Sequence, residues 1–366
     1  MSEIRHREIQ ANGLRMHLAE SGPDDGALVH LCHGFPESWY SWRHQLRALG
    51  AAGWHVVAPD MRGYGATEAP ADPRAYTQLH LVADMVGILD TLGAAQAVIV
   101  GHDWGAPVAW NSALLRPDRF RAVAGLSVPW TARTPIAPTR VMKMIFGDQW
   151  FYFLYFQEPG KAESELDANA RLFLRSFLYT ASGDPPPETL IGLVGGPKDG
   201  RMIDHLLRPE RLPAWIDEAD VDFYAGEFER TGFRGGLQWY RRADLSWELT
   251  AAWNDARIRQ PALFVAGERD GVIAMTPGAI DSMKAEMPGL HRRAPRGRAS
   301  WRGRACRAAS GSSRETRPAP PRCSAESHRR AGSIGTPGTR RPGAPMSRER
   351  GSRTNRPRGR SRSRPW

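Results

Sequence analysis

Residues 97–110 contain the feature that most constrains the fold of this chain. A short β-branched run, residues 98–100, ends at Gly101, and a Gly-x-Asp-x-Gly pattern centred on Asp103 leads into an apolar segment. This order predicts a strand, a sharp turn and a helix. The two glycines leave room for a strained backbone that presents the Asp103 side chain at the carboxyl end of the strand.

The turn has the pattern of a nucleophile elbow, with aspartate where serine usually stands. A carboxylate is already ionised at neutral pH, so Asp103 could attack an electrophilic sp³ carbon without a base and form an ester. The bare motif fits an ordinary βα turn, with Asp103 as the cap of the helix, equally well.

The rest of the chain alternates short β-branched runs with helical patterns. Strand-like and helical stretches come in this order: strands at 15–20 and 27–31, a helix at 42–50, a strand at 56–58, a helix at 79–92 and the strand at 98. Such alternation predicts an α/β fold with a largely parallel sheet and helices on both faces. Residues 128–251 break the alternation with aromatic-rich helical segments, which indicates an inserted helical domain, and alternation resumes at residues 261–267.

The formal charge of +11 is unevenly distributed. Residues 292–366 carry +19, with 22 arginines and no lysine, so residues 1–291 carry −8. After Leu290 the chain has no leucine, valine, phenylalanine or tyrosine, so this tail cannot bury enough apolar surface to fold and is predicted to be disordered. A nucleic-acid-binding arm is the functional alternative, but with only two tryptophans in the tail we expect no nucleic-acid partner.

Other classes of protein receive no support from the sequence. No apolar run approaches 18 residues and no signal peptide is apparent, so a cytoplasmic protein without a membrane partner is expected. The three cysteines have no metal or disulfide spacing, and no metal or cofactor is expected. The predicted domains are an α/β core in two parts, a helical cap between them and the tail: residues 1–130, 131–250, 251–290 and 291–366.

Several motifs resemble the epoxide hydrolases of the α/β-hydrolase fold. The core motifs are His33-Gly34-Phe35-Pro36, Asp60-Met61-Arg62-Gly63-Tyr64-Gly65 and Gly101-His102-Asp103-Trp104-Gly105. Residues 152–160 and 231–241 resemble cap segments of soluble epoxide hydrolases, so the resemblance covers about residues 5–290. It implies an α/β-hydrolase fold with an inserted helical cap, and hydrolysis of a small apolar epoxide to a vicinal diol with water and without a cofactor.

The resemblance implies roles for the matching positions. Asp103 would be the nucleophile, while Tyr152 and Tyr240 would bind and protonate the epoxide oxygen. The backbone N–H groups of Phe35 and Trp104 would form the oxyanion hole.

Other residues would support this machinery. Pro36, with a cis bond before it, would fix the loop that aims Phe35, and the rest of that loop includes Gly34. His33 and His102 would buttress the oxyanion loop and the elbow. Asp270, just beyond a predicted strand, would orient the histidine that activates water.

That histidine is missing from its expected position. In relatives it lies in a Gly-His-Trp-like loop, and here the neighbourhood reads Gly297-Arg298-Ala299-Ser300-Trp301. His291 follows Asp270 too closely and His328 lies in the tail. The last strand and helix of the fold are also expected to be missing, and a shift of reading frame near residue 291 is one explanation.

Three other functions stay open. A haloalkane dehalogenase shares an aspartate nucleophile followed by tryptophan but does not need the two cap tyrosines. An ester hydrolase would want serine at position 103. A catalytically defective homologue that acts as a binding protein is favoured by the missing histidine. The sequence does not give substrate size, stereoselectivity or oligomeric state.

Overall fold

A computed structural model describes residues 2–147, 149–186, 194–195 and 199–293. Their eight strands are β1 Arg5–Ala11, β2 Leu14–Ser21, β3 Leu28–Cys32, β4 His55–Pro59, β5 Ala97–His102, β6 Phe120–Leu126, β7 Ala262–Val265 and β8 Leu290–Arg293. They form a single sheet in the order β1-β2-β4-β3-β5-β6-β7-β8. The pairs β1/β2 and β2/β4 are antiparallel and every later pair is parallel, as the alternation of strands and helices predicts.

The α-helices divide into those that cover the sheet and those inserted between β6 and β7. The covering helices are α1 Arg43–Ala51, α2 Gln78–Thr91, α3 Gly105–Leu115, α11 Gly271–Met275 and α12 Ala279–Glu286. The inserted helices are α4 Pro138–Phe146, α5 Tyr152–Tyr155, α6 Lys161–Leu166, α7 Ala170–Thr180, α8 Glu218–Thr231, α9 Arg234–Arg241 and α10 Ala243–Leu249. The α/β-hydrolase fold with an inserted helical segment is therefore confirmed, whereas the exact domain boundaries stay predictions.

The sheet separates two clusters of buried side chains, because successive residues of a strand point to opposite faces. Leu31, Val56 and Ala58 pack with Trp42 and Leu46 of the α1 side. The larger cluster joins the other face of the sheet to the aromatic side chains of the inserted helices. The inserted helices thus share their core with the sheet.

Helix α9 is fixed against the loop that follows β4. The indole N–H of Trp239 donates to the carbonyl oxygen of Arg62 at 3.1 Å. The backbones of Gly63 and Gly235 touch, since a Cβ atom on Gly235 would lie 2.0 Å from the Gly63 carbonyl oxygen. Glycine at both positions lets the two backbones meet.

The expectation that the last strand of the fold is missing is wrong. Residues 290–293 form β8, which pairs in parallel with β7 at the edge of the sheet. Strand pairing uses backbone groups, so a segment can join an edge without an apolar run. The predicted disorder of the tail, and the residues Trp301 and His328, concern residues 294–366, which lie outside the described residues.

Candidate active site

Asp103 occupies the turn between β5 and α3. Its backbone is left-handed, with a φ of 49°, and its carbonyl oxygen accepts a 3.0 Å hydrogen bond from the N–H of Ala106. A non-glycine residue rarely adopts this conformation, and such strain concentrates at functional sites. The turn presents the Asp103 carboxylate at the carboxyl end of the parallel strands.

A second loop, which follows β3, reaches the same carboxylate. The backbone N–H of Phe35 donates to Asp103 Oδ1 at 2.8 Å, and the N–H of Trp104 also donates to the Asp103 carboxylate. A Cβ atom on Gly34 would lie 2.3 Å from Asp103 Oδ1, so this close approach requires glycine. The Phe35–Pro36 bond is cis, as the resemblance predicts.

His33 is buried and both of its ring nitrogens are used. Nδ1 donates to the carbonyl oxygen of Gly34 at 2.9 Å, and Nε2 accepts from the backbone N–H of Met61 at 3.0 Å. Burial lowers the pKa of His33, so the ring is neutral. His33 therefore connects the loops after β3 and β4, and it has no nitrogen left for a reaction.

His102 forms an ion pair with Glu37, a residue that the sequence analysis did not single out. The distance from His102 Nδ1 to Glu37 Oε1 is 3.1 Å, and Glu37 Oε2 also accepts the N–H of Gly34 at 2.9 Å. Burial lowers the pKa of His102, but the Glu37 carboxylate outweighs it and raises that pKa to about 9. The only signal for Glu37 in the sequence is its position directly after Pro36.

The Asp103 carboxyl group is less acidic than an ordinary aspartate. Burial raises the pKa of Asp103 to about 6, although the charge of His102 and the N–H groups of Phe35 and Trp104 act in the opposite direction. The carboxylate is thus mainly ionised at neutral pH and carries little hydration, and both properties favour a nucleophile.

Tyr152 and Tyr240 come together from opposite ends of the inserted segment. Tyr152 begins α5 and Tyr240 lies in α9, and their ring centroids are 6.1 Å apart at an angle of 84°. Burial and then the Asp103 charge raise the pKa of both hydroxyls, so both phenols keep their protons and both sense the carboxylate. Tyr240 is enclosed by the rings of Phe35, Trp104, Phe153 and Phe156, at centroid distances of 4.9–5.5 Å.

Tyr64 is a third phenol of this region that the sequence analysis did not assign to the site. Its side chain is 1% exposed, and its hydroxyl has no hydrogen-bond partner among the described residues. Burial, followed by the Asp103 charge, raises its pKa well above the ordinary value. Its ring lies edge-on to His33 at 4.9 Å.

Asp270 follows β7 and caps α11. Its Oδ1 accepts from the N–H of Val272 at 2.9 Å and from the hydroxyl of Ser127 at 3.2 Å. Burial raises the pKa of Asp270, while the charge of His102 is among the influences that lower it. His291 lies on β8 with an exposed side chain, and in residues 2–293 as described no histidine hydrogen-bonds to Asp270.

Comparison with known proteins places this arrangement in a family. The model of the α/β hydrolase fold family matches residues 27–294. Epoxide hydrolase A of Mycobacterium tuberculosis is 48% identical over 75% of this chain and 85% of its own length. The chain belongs to the epoxide hydrolase family of α/β hydrolases.

Other relatives agree with this assignment. Epoxide hydrolase 3 of Siraitia grosvenorii is 45% identical over 74% of this chain and 82% of its own length. The crystal structure of epoxide hydrolase A from Mycobacterium thermoresistibile superposes with a TM-score of 0.77 at 43% identity, covering 84% of this chain and 96% of that one. The matched region includes Phe35, Asp103, Tyr152 and Tyr240, to which the resemblance assigns catalytic roles.

Two further findings concern the described residues. Across the described residues, no helix combines the length and the apolar character needed to cross a bilayer. In the same part of the chain, no group of three histidine, cysteine or acidic side chains is arranged to hold a metal ion.

Proposed function

We propose that this protein hydrolyses small apolar epoxides to vicinal diols through an alkyl ester on Asp103. The observation that carries the proposal is the hydrogen bond from the Phe35 N–H to a carboxylate that also influences two buried phenols. A nucleophile, an oxyanion donor and two proton donors around one position are the parts that epoxide opening needs. The cytoplasmic location predicted from the sequence stays a prediction.

In the first half-reaction, an oxygen of the Asp103 carboxylate attacks one epoxide carbon. The new C–O bond forms as the ring C–O bond breaks, and the released alkoxide takes a proton from the hydroxyl of Tyr152 or Tyr240. The aromatic surroundings of Tyr240 exclude water, so the phenols replace water as the donors. General-acid catalysis of this kind contributes about 10²–10⁴-fold to the rate.

The charge on Asp103 couples the nucleophile to the acids. While Asp103 is ionised, its negative charge helps to raise the pKa of both tyrosines. Formation of the ester removes that charge, so both phenols become stronger acids as the alkoxide forms. The proton is therefore released when the substrate oxygen needs it.

In the second half-reaction, water attacks the carbonyl carbon of the Asp103 ester. The oxyanion would accept the N–H groups of Phe35 and Trp104, and each such donor is worth about 10²–10³-fold. Collapse of this intermediate breaks the ester bond and releases the diol, which takes up the proton that the base removed from water. The Asp103 carboxylic acid formed in this step then ionises, and its proton returns to the phenolate left by the first half-reaction. The family pattern assigns that base to a histidine held by Asp270, and no histidine of the described residues hydrogen-bonds to Asp270, which accepts from Ser127 and Val272 instead. We therefore infer a first step that outpaces the second.

Intact-mass spectrometry tests the proposal. The protein is mixed with a small aryl epoxide, and the expected result is rapid addition of one epoxide mass followed by slow diol release. Uncatalysed ester hydrolysis forgoes a general-base contribution of about 10²–10⁴. Asp103→Asn is the matched control, because it keeps the acceptor for the Phe35 N–H and removes the nucleophile.

Two outcomes contradict the proposal. If neither an adduct nor a diol forms with any small epoxide, the protein lacks the proposed epoxide hydrolase activity. Halide release from a haloalkane, without uptake of epoxide, would favour the dehalogenase instead. Sustained diol production at a constant rate would refute the slow second step alone, and His291 would then be the first residue to replace.

A further inference from the structure

Arg241 directly follows Tyr240 in α9 and extends toward the segment that carries Tyr152. The Arg241 side chain is only 2% exposed. Its Nε donates to the carbonyl oxygen of Phe156 at 2.8 Å, and one terminal nitrogen donates to the carbonyl oxygen of Glu158 at 3.0 Å. One buried guanidinium thus holds the main chain just beyond α5.

Gln157 makes a connection in the opposite direction. Its side-chain amide donates to the carbonyl oxygen of Tyr240 at 3.2 Å and to that of Phe153 at 3.0 Å. Gln157 therefore links the backbone of α9 to α5, and Arg241 links the chain just beyond α5 to α9. The ring of Phe156 packs against both phenols, with ring centroids 5.9 Å from Tyr152 and 4.9 Å from Tyr240.

Helix α5 needs such support because it has only four residues, Tyr152–Tyr155. A single turn is unstable alone, and the carbonyl groups at its end need donors from elsewhere. Gln157 supplies one of them, to the carbonyl oxygen of Phe153. Arg241 donates to the carbonyl groups of Phe156 and Glu158 just beyond the helix, where a cation also interacts favourably with the helix dipole. The position of Tyr152 is consequently set from α9.

Glu163 of α6 completes the group by balancing the charge. Its carboxylate makes a bidentate pair with Arg241, 2.8 Å at the longer contact, and also accepts the N–H of Gly160 at 3.0 Å. Burial opposes ionisation of Glu163, but the Arg241 hydrogen bond keeps its pKa below the ordinary value. Because both partners are charged and enclosed, removal of either one leaves the other poorly paired.

We propose that Arg241, with Gln157 and Glu163, is a positioning residue that sets the separation of the Tyr152 and Tyr240 hydroxyls and thereby the rate of epoxide opening. The inference rests on the proposed function, since it assumes that both phenols donate to one substrate oxygen. Two donors that arrive from separate helices reach one oxygen only at a fixed spacing. A displacement of about 1 Å in such a site costs about 10²-fold in rate.

The test is the single-turnover rate of adduct formation at saturating epoxide. Arg241→Gln is expected to lower this rate about 100-fold, with the half-saturating epoxide concentration changed by less than about threefold, because the apolar contacts that bind substrate remain. Arg241→Lys should recover part of the loss, since lysine keeps the charge but cannot make the whole set of contacts. Arg171→Gln is the matched control, because Arg171 joins α7 to α8 on the outer surface through Asp222 and Glu218.

A double variant, Arg241→Gln combined with Tyr240→Phe, distinguishes a role of Arg241 in positioning the tyrosines from a general effect on folding. In Tyr240→Phe only Tyr152 remains of the two proposed proton donors, so the spacing between the two hydroxyls no longer matters. Arg241→Gln should then lower the rate by less than about threefold. If Arg241→Gln does not fold, Glu163→Gln is used in its place, with an expected loss of about tenfold.

Different results overturn different statements. Equal adduct rates for the unmodified enzyme and Arg241→Gln, or an undiminished loss in the Tyr240→Phe background, would overturn the positioning role alone. Absence of both adduct and diol in the unmodified enzyme would overturn the proposed function, and this inference with it.

Discussion

Asp103 and Asp270 both follow a strand of the same sheet, yet they are held in different ways. Asp103 has a left-handed backbone and accepts the N–H of Phe35, which is 68 residues away in the chain. Asp270 is fixed mainly by its own helix, through the N–H of Val272, and by Ser127 at the end of a neighbouring strand. The position of the Asp103 carboxylate therefore depends on the assembly of distant loops, whereas among the described residues Asp270 is held without a hydrogen bond from a histidine.

The strands beneath the two carboxylates differ as well. No residue of the Asp103 strand β5 is exposed, and all five residues of the neighbouring β3 are buried. The Asp270 strand β7 has four residues, one of which, Leu263, is 38% exposed, and its neighbour β8 is the edge of the sheet. In the proposed mechanism, the first half-reaction would therefore use a carboxylate at the centre of the sheet, and the second would use one near its edge.

The largest expected effect is a decrease in the rate of adduct formation that occurs in variants of the two tyrosines but not in a variant of Asp270. Tyr152→Phe and Tyr240→Phe should each slow adduct formation by about 10²–10⁴-fold, because each removes a proton donor to the alkoxide. Asp270→Asn should leave adduct formation within about twofold, because alkylation needs no base. Quenched-flow mass spectrometry measures all three rates. A large decrease in the adduct rate of Asp270→Asn would show that Asp103 and Asp270 do not act in separate half-reactions.

The second prediction compares the stability contributed by a side chain of β3 with that contributed by a side chain of β7. Leu31→Ala on β3 should lower the free energy of unfolding by about 2–5 kcal/mol, because Leu31 is 1% exposed and leaves a cavity. Leu263→Ala should cost about 1 kcal/mol or less, since that side chain is already partly in water. Urea titrations of both variants give the difference, and equal costs would refute a weaker margin.

The smallest effect is the pH dependence of alkylation. With a folded pKa of about 6, Asp103 is mainly protonated at pH 5 and mainly ionised at pH 7. The adduct rate should therefore rise about tenfold from pH 5 to pH 7 and level off above. Asp270→Asn should show the same profile, with circular dichroism confirming that both proteins stay folded at pH 5. A flat profile would indicate that Asp103 has the pKa of an exposed aspartate.

Burial of Asp103 disfavours its ionised form. The charged carboxylate that the proposed reaction needs therefore makes the folded protein less stable. The folded pKa of Asp103 lies above its unfolded value, so its contribution to stability is complete below the unfolded pKa and is lost as the pH rises through about 6. If Asp103 is the nucleophile as proposed, its ionised form lowers the stability of the fold at neutral pH.

The parts of the molecule that local pattern determines could be predicted from the sequence. The strands at residues 15–20, 27–31 and 56–58, the helix at 79–92 and the elbow at Asp103 all occur where periodicity and glycine spacing place them. The cis bond before Pro36 came from the family motif rather than from local physics.

Features that depend on contacts between distant segments could not be predicted. Glu37 looks like an ordinary loop acid until folding brings His102 and the Gly34 N–H to it. The strand β8 was missed because its arginines resemble the tail, although pairing with β7 requires only its backbone. Arg241 gave no signal, because its partners Phe156 and Glu158 use carbonyl groups that every residue has.

The contact between Gly63 and Gly235 has a consequence for protein engineering. Any side chain at position 235 would push α9 away from the loop after β4, and Gly63 in addition has a left-handed φ of 84°. Libraries that randomise either glycine should yield few active clones, however large the screen. Met144 and Ile145 of α4 are 70% and 66% exposed, so their substitution disturbs little packing. Engineered variants should therefore tolerate substitutions at Met144 and Ile145 far better than at the two glycines.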